Sequence, residues 1–281
     1  MRSYRMSDVR PAAVAGTWYP ASPDRLGRDV DGYIADATMS AVPAPLAIVV
    51  PHAGLKYSGP VAAFAYKAVS QAQYSVAVLV GPSHFVGFSG VSIWPRGAWQ
   101  TPFGPVRVAE DFAERIAAAS PEVIEHRQAH GREHSLEMQL PFVAHLLPGV
   151  PMVPMVMGYQ RRETAFALGD ALARAAADVT GRSGSVLLVA SSDLSHYHDA
   201  RTAETMDAVV LGHVERLDAE GLMQALEAEP QHACGGGPMV AVLHAARQLG
   251  ATSARVLKYA DSGDVSGDKS SVVGYMAAAI W

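Results

Sequence analysis

The fold is indicated first by a stretch that reads Ala47-Ile48-Val49-Val50 and continues as Pro51-His52-Ala53-Gly54. Four consecutive apolar residues, most of them β-branched, predict a strand that is buried on both faces, as strands of a parallel sheet are. The proline and glycine that follow predict a tight turn, and this turn carries a histidine. Because ligands of open α/β sheets bind where the strands end, His52 is predicted to lie at a binding site.

Two further stretches repeat this arrangement. The apolar run 76–80 is followed by Gly81-Pro82-Ser83-His84, and the apolar run 186–190 is followed by Ser191-Ser192-Asp193-Leu194-Ser195-His196. Parallel strands end at the same edge of a sheet, so the side chains after them converge. The sequence therefore predicts one site, with His52, His84, Asp193 and His196 as its members.

The rest of the chain alternates strand-like and helix-like segments, which predicts an α/β fold with a mostly parallel central sheet flanked by helices. Helical patterns cover residues 22–36, 60–73, 109–119, 163–180, 200–228 and 238–249, with Ser22 as a cap and Pro60 as a helix start. Further strands are predicted at 89–94, 151–157, 254–259 and 271–280.

Composition narrows the class of protein. The 281 residues, 49% of them hydrophobic and 17% charged, are enough to bury the core of one large α/β domain or two small ones. A formal net charge of −5 and the absence of long basic clusters argue against a nucleic-acid partner. No apolar stretch is long enough to cross a bilayer, and a single cysteine suits a reducing compartment, so we expect a cytoplasmic protein without a membrane partner.

That cysteine, Cys234, lies in Cys234-Gly235-Gly236-Gly237-Pro238, just ahead of a predicted helix. The positive end of a helix dipole favours the thiolate, which is the form that binds metals and attacks electrophiles. With His52 and His84 it would complete a three-ligand divalent metal site, while Asp193 and His196 would orient a ligand and move protons. The alternatives are a buried structural cysteine and histidines that only cap turns.

Two other polar segments are open to more than one interpretation. In Glu133-His134-Ser135-Leu136-Glu137, His134 and Glu137 are predicted either to line the pocket or to belong to a helix start that Ser135 or Glu133 caps. The acidic stretch 261–268 suggests calcium, but its spacing does not match an EF-hand, so a turn before the last strand is the preferred interpretation.

The motifs together resemble those of the Memo family, whose prokaryotic members are called AmmeMemoRadiSam system protein B. The resemblance runs from about Val9 to Trp281 and implies a single Memo-like domain over residues 1–281. It is carried by the turns that contain His52 and His84, by Glu133-His134-Ser135-Leu136-Glu137, by Ser191-Ser192-Asp193-Leu194-Ser195-His196, by Cys234-Gly235-Gly236, by Ser262-Gly263-Asp264 and by Val272-Val273-Gly274-Tyr275.

This resemblance implies a fold similar to class III extradiol dioxygenases, in which two histidines and a carboxylate hold non-heme iron(II). His52 and His84 match the two histidines, and Cys234 stands where the dioxygenases have the carboxylate. His196 matches their acid/base histidine, and Asp193 is the pocket aspartate of the family. The resemblance implies iron(II) as the metal, and copper or zinc stay open because a thiolate is a softer ligand than a carboxylate.

The leading hypothesis is a metal-dependent redox or oxygenase-type enzyme that acts on a small substrate. One alternative is a non-catalytic module that binds a small molecule or a peptide in the same cleft. Another is hydrolysis by Cys234 as nucleophile, with His84 or His196 as base. The resemblance also implies a functional link to a radical-SAM protein and an AMMECR-type protein.

Overall fold

The computed structural model describes residues 8–177 and 185–281. Its strands, in chain order, are β1 Val9–Arg10, β2 Ala47–Val50, β3 Tyr74–Pro82, β4 Val91–Ile93, β5 Ala98–Thr101, β6 Gly104–Arg107, β7 Val123–Ile124, β8 Met152–Met157, β9 Ser185–Ser191, β10 His196–His198, β11 Ala254–Asp261 and β12 Val272–Ile280.

Helices occupy most of the remaining chain. They are α1 Pro23–Asp36, α2 Leu55–Val69, α3 Glu110–Ala119, α4 Arg127–Gly131, α5 Leu140–Leu146, α6 Arg162–Ala177, α7 Ala200–Glu215, α8 Ala219–Ala228, α9 Gly236–Gln248 and α10 Gly263–Ser266. Short 3-10 turns cover Glu137–Gln139 and Pro230–His232. No helix within the described ranges is long and apolar enough to cross a membrane.

The main sheet has the strand order β10-β12-β2-β9-β3-β8-β4-β7, and β11 pairs with β12. Its four central strands, β2, β9, β3 and β8, are parallel, while β12 is antiparallel to β2 and β4 is antiparallel to β8. Helices α2 and α9 pack against these strands. The α/β fold with flanking helices is confirmed, and the sheet is mixed because antiparallel strands extend the parallel centre on both sides.

The predicted central strands form because the sheet is covered on both faces, which buries their apolar side chains away from water. All four residues of β2 are fully buried, and so are 77–80 of β3 and 187–190 of β9. Continuous burial of this kind is typical of strands covered on both faces. Since β9 lies between β2 and β3, the turns after the three strands are neighbours.

Two helix predictions are corrected. Helix α2 begins at Leu55 rather than at Pro60 and ends at Val69 rather than near Gln73. Its start is set by the Leu55 N–H, which donates to the Trp18 carbonyl, so Pro60 lies inside the helix, where its missing N–H removes one backbone hydrogen bond.

The predicted helix 200–228 is two helices. The chain leaves the helical conformation at Leu217, whose φ is +53°, and Asp218 caps α8 by accepting the Gly221 N–H at 2.8 Å. Helix α6 confirms the predicted helix 163–180 as far as Ala177, and residues 178–180 lie outside the described residues.

A second sheet, of order β1-β5-β6, is absent from the sequence prediction. Strands β5 and β6 form a hairpin, and the N-terminal strand β1 pairs with β5 in parallel. The pattern is hard to recognise because these strands are short and only partly buried. Strand β1 brings Arg10 into the interior, where its side chain is 2% exposed.

The acidic stretch 261–268 forms a turn that leads into β12, as expected. Lys269 Nζ contacts Asp261 Oδ1 at 2.8 Å and Asp264 Oδ1 at 2.7 Å. The ammonium group therefore balances the carboxylates that suggested a calcium site.

Candidate functional site

A cavity of about 460 Å3 opens at the carboxyl ends of the central strands. Five residues that the sequence analysis selected line it, together with His134 from the segment left open, so the predicted convergence is observed. The lining consists of Trp18, His52, Ala53, Gly54, His84, His134, Asp193, His196, Tyr197, Cys234 and Val273.

Asp193 ties the turn after β2 to the loop after β9. Its Oδ1 accepts the backbone N–H of His52 at 2.7 Å and that of Ala53 at 3.2 Å. Burial raises the pKa of Asp193, and these hydrogen bonds oppose part of the rise. Asp193 thus positions the backbone of His52, whereas the sequence analysis expected it to act with His196 in orienting a ligand and moving protons.

The ring of His52 is almost completely buried, with 1% of the residue exposed. Its Nδ1 lies 2.9 Å from Ser191 Oγ, and its Nε2 lies 3.2 Å from Cys234 Sγ. Burial, followed by the nearby His84, lowers the pKa of His52 to about 3. The imidazole is therefore neutral at pH 7, which is the form that binds metals.

His84 is held by a buried carboxylate. Glu133 accepts the backbone N–H of His84 at 2.6 Å and contacts the Nδ1 of His84 at 2.9 Å. The same carboxylate accepts the N–H groups of His134 and Ser135, both at 2.9 Å. Burial alone would raise the pKa of Glu133, but these hydrogen bonds outweigh it and hold the pKa at about 2. The charged carboxylate can only accept, so the Nδ1 of His84 carries a proton, and in the neutral ring the Nε2 is the lone pair left for a ligand.

His134 is packed between two rings. It stacks on His84 with ring centroids 4.6 Å apart, and Trp18 covers it at 4.3 Å. Burial, followed by the nearby His52, lowers the pKa of His134 to about 4, so this imidazole is also neutral at pH 7. Its ligand nitrogen and those of His52 and His84 all lie within 4.8 Å of one another.

Cys234 lies two residues ahead of α9, as the glycine-rich sequence predicts. Its sulfur accepts the N–H of Asp193 at 3.3 Å, and the N–H of the next residue, Gly235, donates to Ser192 Oγ at 2.9 Å. Burial of the sulfur, together with the Asp193 carboxyl group, raises the pKa of the thiol. Without a metal, the thiol is therefore protonated at pH 7.

His196 begins strand β10 on another wall of the cavity. Its Nδ1 lies 2.8 Å from the Leu194 carbonyl oxygen, which can only accept, so the Nδ1 carries a proton and the Nε2 is free to take one up. Next to it, Tyr197 has a φ of +64° and is 77% exposed.

Glu137 is not among the residues that line the cavity. It is fully buried, and its carboxylate forms an ion pair with Arg10 at 2.6 Å and accepts the Tyr19 hydroxyl at 2.8 Å. It also accepts the backbone N–H groups of Ala13 and Val14. The expected pocket role is therefore corrected to a structural one, because Glu137 anchors the segment that carries Trp18.

Several residues of the site were missed or underrated by sequence reasoning. Trp18 received no role, and Glu133 was considered only as a cap, although capping is part of what it does. Ser191 and Gln139, which contact each other at 2.8 Å behind His52, were also missed. One signal was available for Glu133, because it stands directly before a histidine where the chain enters an apolar helix, and a carboxylate that is buried there needs hydrogen-bond partners.

Comparison with known proteins agrees with the motifs. A protein-family model described as "Memo-like protein" matches residues 10–279. The chain belongs to the Memo family. A MEMO1 family protein of Methanocaldococcus jannaschii is 36% identical over 98% of this chain and 100% of its own length. One of Methanothermobacter thermautotrophicus is 38% identical over 95% of this chain and 98% of its own length.

A solved structure supports the fold of this Memo-family chain. It is the crystal structure of an uncharacterized protein of Escherichia coli K12, with a TM-score of 0.54 and 16% sequence identity. The similarity covers 82% of this chain and 98% of that chain. At this identity the comparison is evidence for the fold alone.

The donor atoms of this Memo-family site suit a divalent metal. Three imidazoles lie close enough to share an ion, and the thiol of Cys234 lies beside one of them, that of His52. Imidazole and thiolate are ligands of zinc, copper and iron, and a carboxylate behind a ligating histidine is a common second layer of such sites. The residues therefore fit a metal, with His52, His84 and His134 as the group within the described ranges whose nitrogens converge.

Proposed function

We propose that this Memo-family chain is a metal-dependent enzyme that performs redox or oxygenase-type chemistry on a small substrate. The observation that carries the proposal is the convergence of the His52, His84 and His134 nitrogens within 4.8 Å, beside a cavity of about 460 Å3. A site of this size, with few polar groups that converge, is typical of small-molecule enzymes.

The proposed ligands are His52, His84 and Cys234. Metal–nitrogen bonds of about 2.0–2.1 Å and metal–sulfur bonds of about 2.3 Å place two neighbouring ligand atoms between 3 and 4 Å apart. The 3.2 Å between His52 Nε2 and Cys234 Sγ meets this requirement. His134 is the competing third ligand, because its nitrogen belongs to the same cluster.

Iron(II) is the proposed metal, with copper or zinc as alternatives. When bound, the metal supplies Lewis acidity and, as iron or copper, electron exchange with the substrate. The Nε2 of His196 takes or returns a proton, since its Nδ1 is bound to the Leu194 carbonyl. Trp18 and Tyr197 wall the cavity and hold the substrate beside these groups.

The proposal also includes the cellular setting. A single cysteine and the ligand role of its thiol fit the reducing cytoplasm. The functional link to a radical-SAM protein and an AMMECR-type protein is part of the proposal and rests on the family resemblance.

One observation favours a second candidate function, a non-catalytic binding module. The cavity of about 460 Å3 would hold a small molecule whether or not a metal binds, and in the metal-free protein burial raises the pKa of the Cys234 thiol. The same raised pKa disfavours hydrolysis by a cysteine nucleophile, because the thiol is the unreactive form.

The deciding experiment is elemental analysis of protein purified without oxygen. We expect about one metal ion per chain in the wild type and a large loss in His52→Ala and His84→Ala, with no loss in the control His145→Ala, whose ring binds Asp31 outside the cavity. Full metal content in His52→Ala, or no metal in the wild type after incubation with Fe2+, Cu2+ and Zn2+, would reject the proposal.

Cobalt substitution identifies the third ligand. A thiolate bound to Co2+ produces a strong near-ultraviolet charge-transfer band that imidazole ligands lack. We expect this band in the wild type and in His134→Ala, and its loss in Cys234→Ala. Bound Co2+ without this band in the wild type, and loss of Co2+ binding in His134→Ala, would assign the third position to His134.

A further inference from the structure

A chain of buried polar groups lies behind His52, away from the cavity. The Tyr66 hydroxyl is 3.0 Å from Gln139 Oε1, Gln139 Nε2 is 2.8 Å from Ser191 Oγ, and Ser191 Oγ is 2.9 Å from His52 Nδ1. Tyr66, Gln139 and Ser191 are each fully buried. Buried groups of this kind are costly unless each is satisfied, so the direction of every hydrogen bond matters.

Two backbone carbonyls determine those directions, because a carbonyl oxygen only accepts. The Pro51 oxygen lies 3.0 Å from Gln139 Nε2, so the amide nitrogen of Gln139 faces this side and donates both to Pro51 and to Ser191. The Ser135 oxygen lies 2.7 Å from Ser191 Oγ and takes the only hydrogen that this hydroxyl has.

With its hydrogen committed to Ser135, Ser191 can only accept from its other two partners. One of them is the amide of Gln139, and the other is the Nδ1 of His52. We propose that this relay of Tyr66, Gln139 and Ser191 holds His52 in the tautomer whose proton is on Nδ1, so that the Nε2 lone pair faces Cys234. Ser191 and Gln139 are positioning residues in this arrangement, since they act on the site through His52.

The relay complements the carboxylate behind His84. Glu133 sets the same tautomer in His84 with a charged acceptor, while Ser191 sets it in His52 with a neutral hydroxyl. Both rings therefore present Nε2 to the cavity before any metal arrives. The sulfur of Cys234 lies 3.2 Å from the Nε2 of His52, within hydrogen-bond distance of its lone pair. Preset donors of this kind bind a metal more tightly than freely rotating ones.

The tautomer is tested without metal, by 15N NMR of the imidazole rings in metal-free protein, with His52 assigned from a His52→Asn variant. We expect a protonated Nδ1 and an unprotonated Nε2 for His52 in the wild type. In Ser191→Ala, where Nδ1 has lost its acceptor, we expect the proton to move to Nε2. A wild-type His52 with its proton on Nε2 would overturn the proposal. This measurement is made on the wild type, so it does not depend on whether Ser191→Ala folds.

A second arm measures Zn2+ affinity, and this arm rests on the proposed function. The change of tautomer in Ser191→Ala is expected to weaken Zn2+ binding by about 10- to 100-fold. The matched control is Ser58→Ala, which also removes a buried hydroxyl, one that donates to the Ala53 carbonyl at 2.7 Å and touches no histidine ring. Equal losses in Ser191→Ala and Ser58→Ala would overturn the positioning role.

The NMR measurement and the Zn2+ titration distinguish a failure of the relay from a failure of the metal-dependent function. If the wild type shows the Nδ1 proton but binds no Zn2+, the relay is supported and the metal-dependent function fails. If Zn2+ binds tightly and the proton of His52 lies on Nε2 in the metal-free protein, the metal site stands and the relay fails.

Discussion

The sulfur of Cys234 lies 3.2 Å from the Nε2 of His52, although the two residues are 182 positions apart in the chain. The turn after β2 supplies the imidazole, and the turn ahead of α9 supplies the thiol. Both are held by Asp193, whose carboxylate accepts the His52 N–H while its own N–H donates to the sulfur. A single aspartate therefore positions two of the proposed ligands.

The first prediction concerns the proton of the thiol. Because burial raises the pKa of Cys234, a metal that binds the sulfur must displace its proton. We expect Zn2+ to release about one proton per bound ion from the wild type at pH 7 and almost none from Cys234→Ser. A pH-indicator dye in weak buffer measures the release. Equal release from both proteins would show that the sulfur is not a ligand.

The second prediction concerns Glu133, which serves three backbone N–H groups and the ring of His84. Glu133→Gln replaces one acceptor oxygen by a donor, so we expect the free energy of unfolding to fall by about 2–3 kcal/mol. Zn2+ affinity is expected to fall by about 10- to 100-fold, since His84 loses its anchor. Urea denaturation and zinc titration measure the two effects.

Glu125→Gln is the matched control for this change. Glu125 lies on the surface, where it pairs with Arg127 at 2.9 Å, and its loss is expected to cost less than about 1 kcal/mol. If Glu133→Gln is no more destabilising than this control, the anchoring role of Glu133 is wrong.

The third prediction concerns the ion pair of Arg10 with Glu137, both of which are buried. Removal of one partner leaves a buried unpaired charge, so we expect Arg10→Met to lower the free energy of unfolding by about 3–5 kcal/mol. Since Glu137 also holds the Ala13 and Val14 N–H groups, we expect Trp18 to become more exposed, with red-shifted fluorescence.

The exposed ion pair of Arg162 with Glu227 is the control, because it also joins an arginine to a glutamate. Arg162→Met is expected to lower the free energy of unfolding far less than Arg10→Met does and to leave the fluorescence of Trp18 unchanged. An Arg10→Met protein as stable as the wild type would show that the pair does not anchor the N-terminal segment.

The fourth prediction concerns pH and His130, which is fully buried. Burial, followed by the charge of Arg10, lowers the pKa of His130 to about 3. Between about pH 6.5 and pH 3 the unfolded chain therefore binds one proton more at this residue than the folded chain does. Stability is expected to fall with decreasing pH in this window, by about 1.4 kcal/mol per pH unit from His130 alone.

Urea denaturation at several values between pH 7 and pH 5 measures this slope. His130→Gln should make it shallower by about the amount assigned to His130. An unchanged slope in His130→Gln would show that folding does not lower the pKa of His130.

Sequence reasoning was most accurate where a residue follows a continuously apolar run. His52, His84, Asp193 and His196 were all placed at one edge of the sheet, and all four line one cavity. It was least accurate where a segment is short or half-buried, as at the β5–β6 hairpin, and where a proline suggested the start of α2. A local pattern reports burial and turn chemistry, and it cannot report a contact such as that of Leu55 with the Trp18 carbonyl.

The sequence by itself determined the parallel centre of the sheet and the set of chemical groups at its edge, because strand burial and turn formation depend on neighbouring residues. Only the tertiary structure decided which of these groups face one another. In the folded chain Glu137 pairs with Arg10 outside the cavity, His134 lies beside His52 and His84, and Ser191 lies behind His52. These outcomes depend on distances between segments that are far apart in the chain, which local preferences do not encode.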